Sequence, residues 1–257
     1  MSEHWIKDKV AIIAGGASGI GQGIAIEAAA HKAKVVVADI NEEAGQETIQ
    51  TIKSKGGEGI FVKTDVTDVK SISEMVAAAK TLGSIRYLAC SAGLQSYGDV
   101  ETTTEEAWDQ CMAVNLKSMF LLSKQILPAI KLNKGGGIVN ISSVQGLRCQ
   151  KNVLAYATSK GAVIAMTRAM ALDHVSDQVY INCICPGSID TPMLRYGASK
   201  HGDTEDVLGE WASHHPIGRI GTVEEIAKTT MFLWSPDSNF IIGQPIVADG
   251  GLGSVIL

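Results

Sequence analysis

The sequence predicts an α/β fold: one doubly wound Rossmann-type domain, with a parallel sheet of about seven strands and helices on both faces. Three observations predict it. Short β-branched runs alternate with longer segments of helical periodicity. The runs are apolar throughout, as strands covered on both faces must be. The first run passes directly into a glycine cluster that opens a helical segment.

In chain order, the first strand is expected at Val10–Ala14, then Gly15-Gly16-Ala17-Ser18-Gly19-Ile20-Gly21, then a helix patterned on Ile20, Ile24 and Ala28. Further strands are expected at Val35–Asp39, Gly59–Thr64, Tyr87–Ser91, Gly137–Ile141 and Val179–Cys185. Helical spacing recurs in Ile72, Met75 and Val76 and in Leu116, Phe120 and Leu121, with helices expected over Trp108–Ser123 and Ala155–Asp173. The stretch from Met193 to Pro216 is polar, holds Gly197, Gly202 and Gly209, and has weak periodicity. Placed after a strand end, where open α/β sheets bind ligands, it reads as a substrate lid over about residues 193–216. No internal repeat or linker interrupts the pattern, so residues 1–257 read as one domain.

Composition narrows the function classes. A formal net charge of -5 argues against nucleic acid, which calls for a basic face. The stretch Val10–Ala30 is apolar but punctuated by glycines, Gln22 and Glu27, unlike a membrane span. The opening MSEHWIKDK lacks a signal-peptide core, so a soluble, cytoplasmic protein is expected. The five cysteines show no C-x-x-C spacing and read as free thiols. Cys183 and Cys185 alternate with Asn182 and Ile184 on one buried strand face, and neither they nor His214–His215 have metal-site spacing, so no metal is expected.

The glycine loop between strand and helix lets the backbone approach a pyrophosphate, whose charge meets the free N–H groups of the helix start. Gly15, Ser18, Gly19 and Ile20 are therefore candidate cofactor residues. The second strand ends in Asp39-Ile40, where a carboxylate accepts the ribose hydroxyls of an adenosine and repels a 2′-phosphate. With no Arg or Lys beside it, NAD is expected over NADP. Asp65-Val66, after the third strand, is placed to meet the adenine. Tyr156 and Lys160 stand at i and i+4 on one helix face, thirteen residues beyond Ser143. A neighbouring ammonium favours a phenolate, and a tyrosinate there would take the proton of an alcohol while a hydride leaves for nicotinamide.

Gly15, Gly19 and Gly21, with Cys90-Ser91-Ala92-Gly93, Asn115, Ser143, Tyr156 with Lys160, and Pro186-Gly187, resemble the short-chain dehydrogenase/reductase family over essentially the whole chain. The resemblance implies that Ser143 binds the substrate oxygen, with Ser142 its rival, and that Tyr156 is the acid/base. It implies that Lys160 binds the nicotinamide ribose, and that Asn115 holds a water relayed to Lys160. Ala92 and Gly93 would line the cofactor site, and Pro186, Gly187, Ile189 and Thr191 its nicotinamide end. It also implies a homotetramer, with the helix over Ala155–Asp173 and the tail Leu252–Leu257 as contact surfaces. The family usually has Thr at Ala14 and Asn-Asn at Cys90-Ser91, which puts the rigidity of the neighbouring turns in question.

Gln95, Gln145 and Gln150, with Ser143 and Tyr156, are the candidate substrate residues, and Tyr97, Arg148, Asn152, Arg195, Tyr196 and His214 lie in the same stretches. Hydrogen-bonding groups of this kind suit a sugar, polyol or hydroxy acid, and Arg148 is of a type that pairs with a carboxylate. The expected activity is an NAD(H)-dependent secondary alcohol dehydrogenase/carbonyl reductase. The alternatives are a non-catalytic NAD-binding sensor, which has no need of the tetrad, and an isomerase or dehydratase using NAD transiently.

Overall fold

The computed structural model describes residues 5–255. Its first half alternates β1 (Val10–Ala14), α1 (Gly19–Ala30), β2 (Lys34–Asp39), α2 (Glu42–Ser54), β3 (Glu58–Lys63), α3 (Val69–Leu82) and β4 (Ile85–Cys90). The second half runs α4 (Glu105–Met112), α5 (Ser118–Leu132), β5 (Gly136–Ile141), α6 (Leu154–His174), β6 (Val179–Pro186), α7 (Pro192–Ala198), α8 (Thr204–Ser213), α9 (Val223–Trp234) and β7 (Pro245–Ala248). The strands form one seven-stranded sheet in the order β3-β2-β1-β4-β5-β6-β7, parallel throughout.

Successive residues of each strand feed opposite layers, which is why the runs are apolar at every position. Ala11, Ile13, Val35, Val37 and Val139 pack with α1, α2 and α9. Val10, Ile12, Val36, Leu88 and Ile138 pack with α3, α5 and α6. Cys183 and Cys185 are both buried, beside Ile164 of α6. Tyr87 is sandwiched between Trp5 and Trp234, with ring centroids 5.5 and 5.2 Å away.

Three elements differ from the sequence expectation. The helix expected over Trp108–Ser123 is a longer path, α4 and α5 joined by a π-helical turn at Ala113–Lys117. The lid is not irregular: α7 and α8 occupy most of it. Each starts on a side-chain cap, Thr191 and Asp203, and Pro192 stands in the first turn of α7, the strongest helix-start signal in that polar stretch. β7 lies outside the six apolar runs, a four-residue edge strand that begins at a proline. Of the apolar tail, Leu252–Ser254 form a short 3-10 turn, while Ile256 and Leu257 lie outside the described residues.

Candidate active site

At the carboxyl edge of the sheet lies a cleft of about 1330 Å³. Every residue nominated above for cofactor or substrate lines it. Asn115, fully buried, does not.

One end is built by β1, α1 and β2. Gly15 has φ +76°, and a Cβ there would fall 2.4 Å from the Ala92 nitrogen, so only glycine lets β1 turn against the end of β4. A Cβ on Gly21 would overlap the Gly15 carbonyl, the close approach that brings α1 up to the loop. Side chains cap α2, α3, α4, α7, α8 and α9, but Ser18 makes no such bond to α1, whose first turn also carries no acid. Its N–H groups are left to meet an anion. Asp39, ending β2, is anchored by the Ala17 N–H at 3.1 Å and the Asn41 N–H at 3.0 Å. Asp65 accepts from the Thr67 N–H and hydroxyl at 2.8 and 2.7 Å, so its carboxylate already serves its own turn. The cations lining the cleft, among the described residues, are Lys160 and Arg148, neither on this wall.

Ala14 and Cys90 are buried neighbours in register across β1 and β4. The turns beside them are tied by backbone instead: Gly15 N–H donates to the Ala38 carbonyl at 2.8 Å and Ser91 N–H to the Ala14 carbonyl at 2.9 Å. Burial pushes the Cys90 thiol up to about 12, leaving a small neutral side chain.

The other end joins β5, α6 and the end of β6. Ser142 and Ser143 part company there. The Ser142 hydroxyl donates to the Lys160 carbonyl at 2.8 Å, whereas Ser143 accepts from the Gln145 N–H at 3.1 Å and stands beside Tyr156. Lys160 is buried, donates from Nζ to the Ile141 carbonyl at 2.9 Å, and lies 5.5 Å from the Tyr156 ring centroid.

Burial pushes the Tyr156 hydroxyl up to about 12, against the opposing effect of the Ser143 hydrogen bond. Burial likewise pulls Lys160 down to about 8. Desolvation disfavours both charged forms. The phenol is therefore the resting form of Tyr156.

Asn115 sits in the π-turn with its side chain fully engaged. Oδ1 accepts from the Leu94 N–H at 2.8 Å, and Nδ2 donates to the Leu94 carbonyl at 2.9 Å and the Ser159 hydroxyl at 3.1 Å. The side chain ties the loop after β4 to α6, beside Gly93 and the Lys160 ammonium.

Several lining residues were not read from the sequence. Trp211, Met193 and Leu194 come from the lid and Leu252–Val255 from beyond β7. His215 is buried, with Nδ1 2.8 Å from the Trp211 carbonyl and Nε2 3.2 Å from the Ser188 N–H, so one neutral tautomer bridges the lid to the loop after β6. The sequence signal for it is the His214–His215 pair, whose adjacent spacing does not suit a metal. Arg195 is bound by Asp190 at 2.7 and 2.8 Å and by Glu205 at 2.8 Å, clamping α7 between that loop and α8. It does not line the cleft.

A dinucleotide-sized cleft on a doubly wound sheet, with a Ser–Tyr–Lys cluster at one end, defines an oxidoreductase of the Rossmann type. The chain belongs to the short-chain dehydrogenase/reductase family: the family model described as enoyl-(acyl carrier protein) reductase matches residues 15–253. Among its relatives is the 2,5-dichloro-2,5-cyclohexadiene-1,4-diol dehydrogenase LinX of Sphingobium indicum, 36% identical, with 95% of each chain covered. Another is dehydrogenase/reductase SDR family member 6 of Danio rerio, also 36% identical, covering 95% of this chain and 96% of that protein. The ligand-free structure of Thermoplasma acidophilum aldohexose dehydrogenase superposes with a TM-score of 0.90 at 33% identity, covering 98% of this chain and 97% of that one.

Proposed function

We propose that the protein is an NAD(H)-dependent dehydrogenase/reductase that interconverts a polar secondary alcohol (a sugar, polyol or hydroxy acid) with its carbonyl, using Tyr156 as acid/base. One observation carries the reading. Ser143, Tyr156 and Lys160 converge at one end of a cleft whose other end is the anchored carboxylate of Asp39, with the uncapped start of α1 on its wall.

A bound nicotinamide dinucleotide supplies the hydride acceptor or donor. The start of α1 and the glycine loop would receive its pyrophosphate, Asp39 the adenosine ribose, and Pro186, Gly187, Ile189 and Thr191 its nicotinamide end. Asp39 and the lack of a lining cation at that end favour NAD, since a 2′-phosphate there meets a carboxylate and no counter-charge. Ser143 and Tyr156 hold the reacting oxygen by hydrogen bonds. In reduction the Tyr156 hydroxyl donates its proton to the forming alkoxide, and in oxidation the phenolate takes the alcohol proton. Lys160 is placed for the ribose hydroxyls. Asn115 acts through position, holding the Leu94 loop against α6.

The name of LinX, a diol dehydrogenase, and the aldohexose dehydrogenase structure both support an oxygen-rich substrate. Exposed apolar side chains support assembly with further copies of this chain into a homotetramer: Leu172 on α6, Phe120 and Leu132 on α5, and Phe240 before β7. Light scattering of the purified protein tests that directly, a monomer mass contradicting it.

The functional test is absorbance at 340 nm with NAD and NADP across sugars, polyols, hydroxy acids and simple secondary alcohols, for the native protein and Tyr156→Phe. Turnover with NAD, abolished in the variant while NADH binding persists, is the expected result. Unchanged behaviour of Tyr156→Phe would favour a non-catalytic sensor.

A further inference from the structure

We infer that Arg148 selects an anionic substrate, a short hydroxy acid whose carboxylate it binds while Ser143 and Tyr156 hold the carbinol oxygen; the inference rests on the dehydrogenase reading above. The backbone between Ser143 and Arg148 is a fixed turn. Gly146 N–H donates to the Ser143 carbonyl at 3.0 Å, and the N–H groups of Leu147 and Arg148 donate to the Val144 carbonyl at 2.9 and 2.8 Å. Gly146 lies so close to α6 that a Cβ would fall 2.7 Å from the Lys160 carbonyl carbon. Arg148 is thereby presented from the same rigid corner as the reacting groups, and it lines the cleft.

Its charge is unspent. Arg195 is saturated by Asp190 and Glu205, and Arg219 by Glu225 at 2.7 and 2.9 Å. Among the described residues Arg148 has no such carboxylate. The acids that line the cleft stand elsewhere or are occupied. Asp39 and Asp65 follow β2 and β3 at the far end, and Asp249 is held by the Gly251 and Gly253 N–H groups at 2.9 and 2.6 Å. An exposed guanidinium with free donors and no carboxylate partner, on the turn that leaves Ser143, recognises a carboxylate in a fork geometry.

The test compares short 2- and 3-hydroxy acids with their methyl esters and with alcohols bearing a phosphate ester, in the native protein, Arg148→Gln and Arg148→Lys. The native protein is expected to prefer acid over ester, the more so at low salt. In Arg148→Gln the acid-to-ester ratio of kcat/KM falls roughly twofold to fivefold, mainly through KM, as for a pair open to solvent. Arg148→Lys recovers part of the ratio. Esters used as well as acids, or a ratio unmoved in Arg148→Gln, overturn the inference and leave the dehydrogenase reading standing. Preference for the phosphate esters overturns the carboxylate assignment. Silence on every alcohol with both dinucleotides removes the dehydrogenase reading, and this inference with it.

Discussion

The hydroxyl of Ser142 donates to the carbonyl of Lys160, pinning the end of β5 to the middle of α6 at 2.8 Å. The neighbouring serine is left facing the tyrosine. On the reading proposed above, only the second of these two buried serines takes part in the chemistry. Ser142→Ala should lower stability by about 1 kcal/mol, a melting shift of a few degrees, with turnover largely kept. Ser143→Ala loses the bond from the Gln145 N–H and should cost about as much stability, but it should also cut kcat on the order of a hundredfold, the usual scale for one donor to a reacting oxygen. Thermal melts and steady-state kinetics on both variants decide it, and reversed phenotypes would exchange the roles.

The resting phenol sets a pH signature. With Tyr156 raised to about 12, alcohol oxidation is expected to accelerate from pH 7 towards pH 10, while carbonyl reduction, which draws on the phenol, stays nearly level over the same range. Initial rates in both directions across that range test it. A flat oxidation profile would mean that proton removal does not pass through Tyr156.

Lys160 should also leave a mark on stability. Its folded value, near 8, lies below its ordinary 10.5, so the unfolded chain binds the extra proton between those values. Stability therefore rises with pH across that window, and the penalty of the buried ammonium is complete below pH 8. Melting of the native protein relative to Lys160→Met should improve from pH 7.5 to pH 10. A pH-independent gap would show that the ammonium is not penalised.

At the adenosine end, Asp39→Asn keeps the shape and removes the charge. The kcat/KM with NAD should fall about tenfold to a hundredfold, the scale of charged hydrogen bonds lost, while use of NADP improves. Competing assays with the two dinucleotides measure the ratio. A native protein that already prefers NADP would refute the role given to Asp39.

Arg195→Gln releases the bond between α7, the Asp190 loop and α8. KM for the alcohol should rise severalfold, with dinucleotide affinity less affected, and limited proteolysis should nick residues 199–203 sooner. An unchanged KM and cleavage pattern would show that the clamp does not hold the lid.

The sheet core and the cofactor end were legible because their signals are local. An apolar run followed by glycines, and a carboxylate at the end of β2, need no tertiary context. That Tyr156 and Lys160 share a helix was legible through their i, i+4 spacing. What escaped depends on packing. The π-turn at Ala113–Lys117 gives no periodic sign, since it adds one residue within an otherwise continuous pattern. Helices α7 and α8 are short and polar, so only their caps betray them. β7 acquires its identity by pairing with β6, and His215 acquires its role from Ser188 and Trp211. The tyrosine's balance of forces, finally, turns on how completely its surroundings exclude water, which no spacing encodes.

Gly19 touches the base of the lid: a Cβ there would lie 3.2 Å from the Thr191 methyl. The exit of β1 and the exit of β6 therefore meet across the sheet edge, and the helix start offered to a pyrophosphate shares a contact surface with the first residue before α7. On the reading proposed above, lid position and dinucleotide occupancy would be linked quantities. Whatever factor a closed lid adds to the affinity for dinucleotide, the dinucleotide must return to lid closure, because the coupling free energy is one number read from either side.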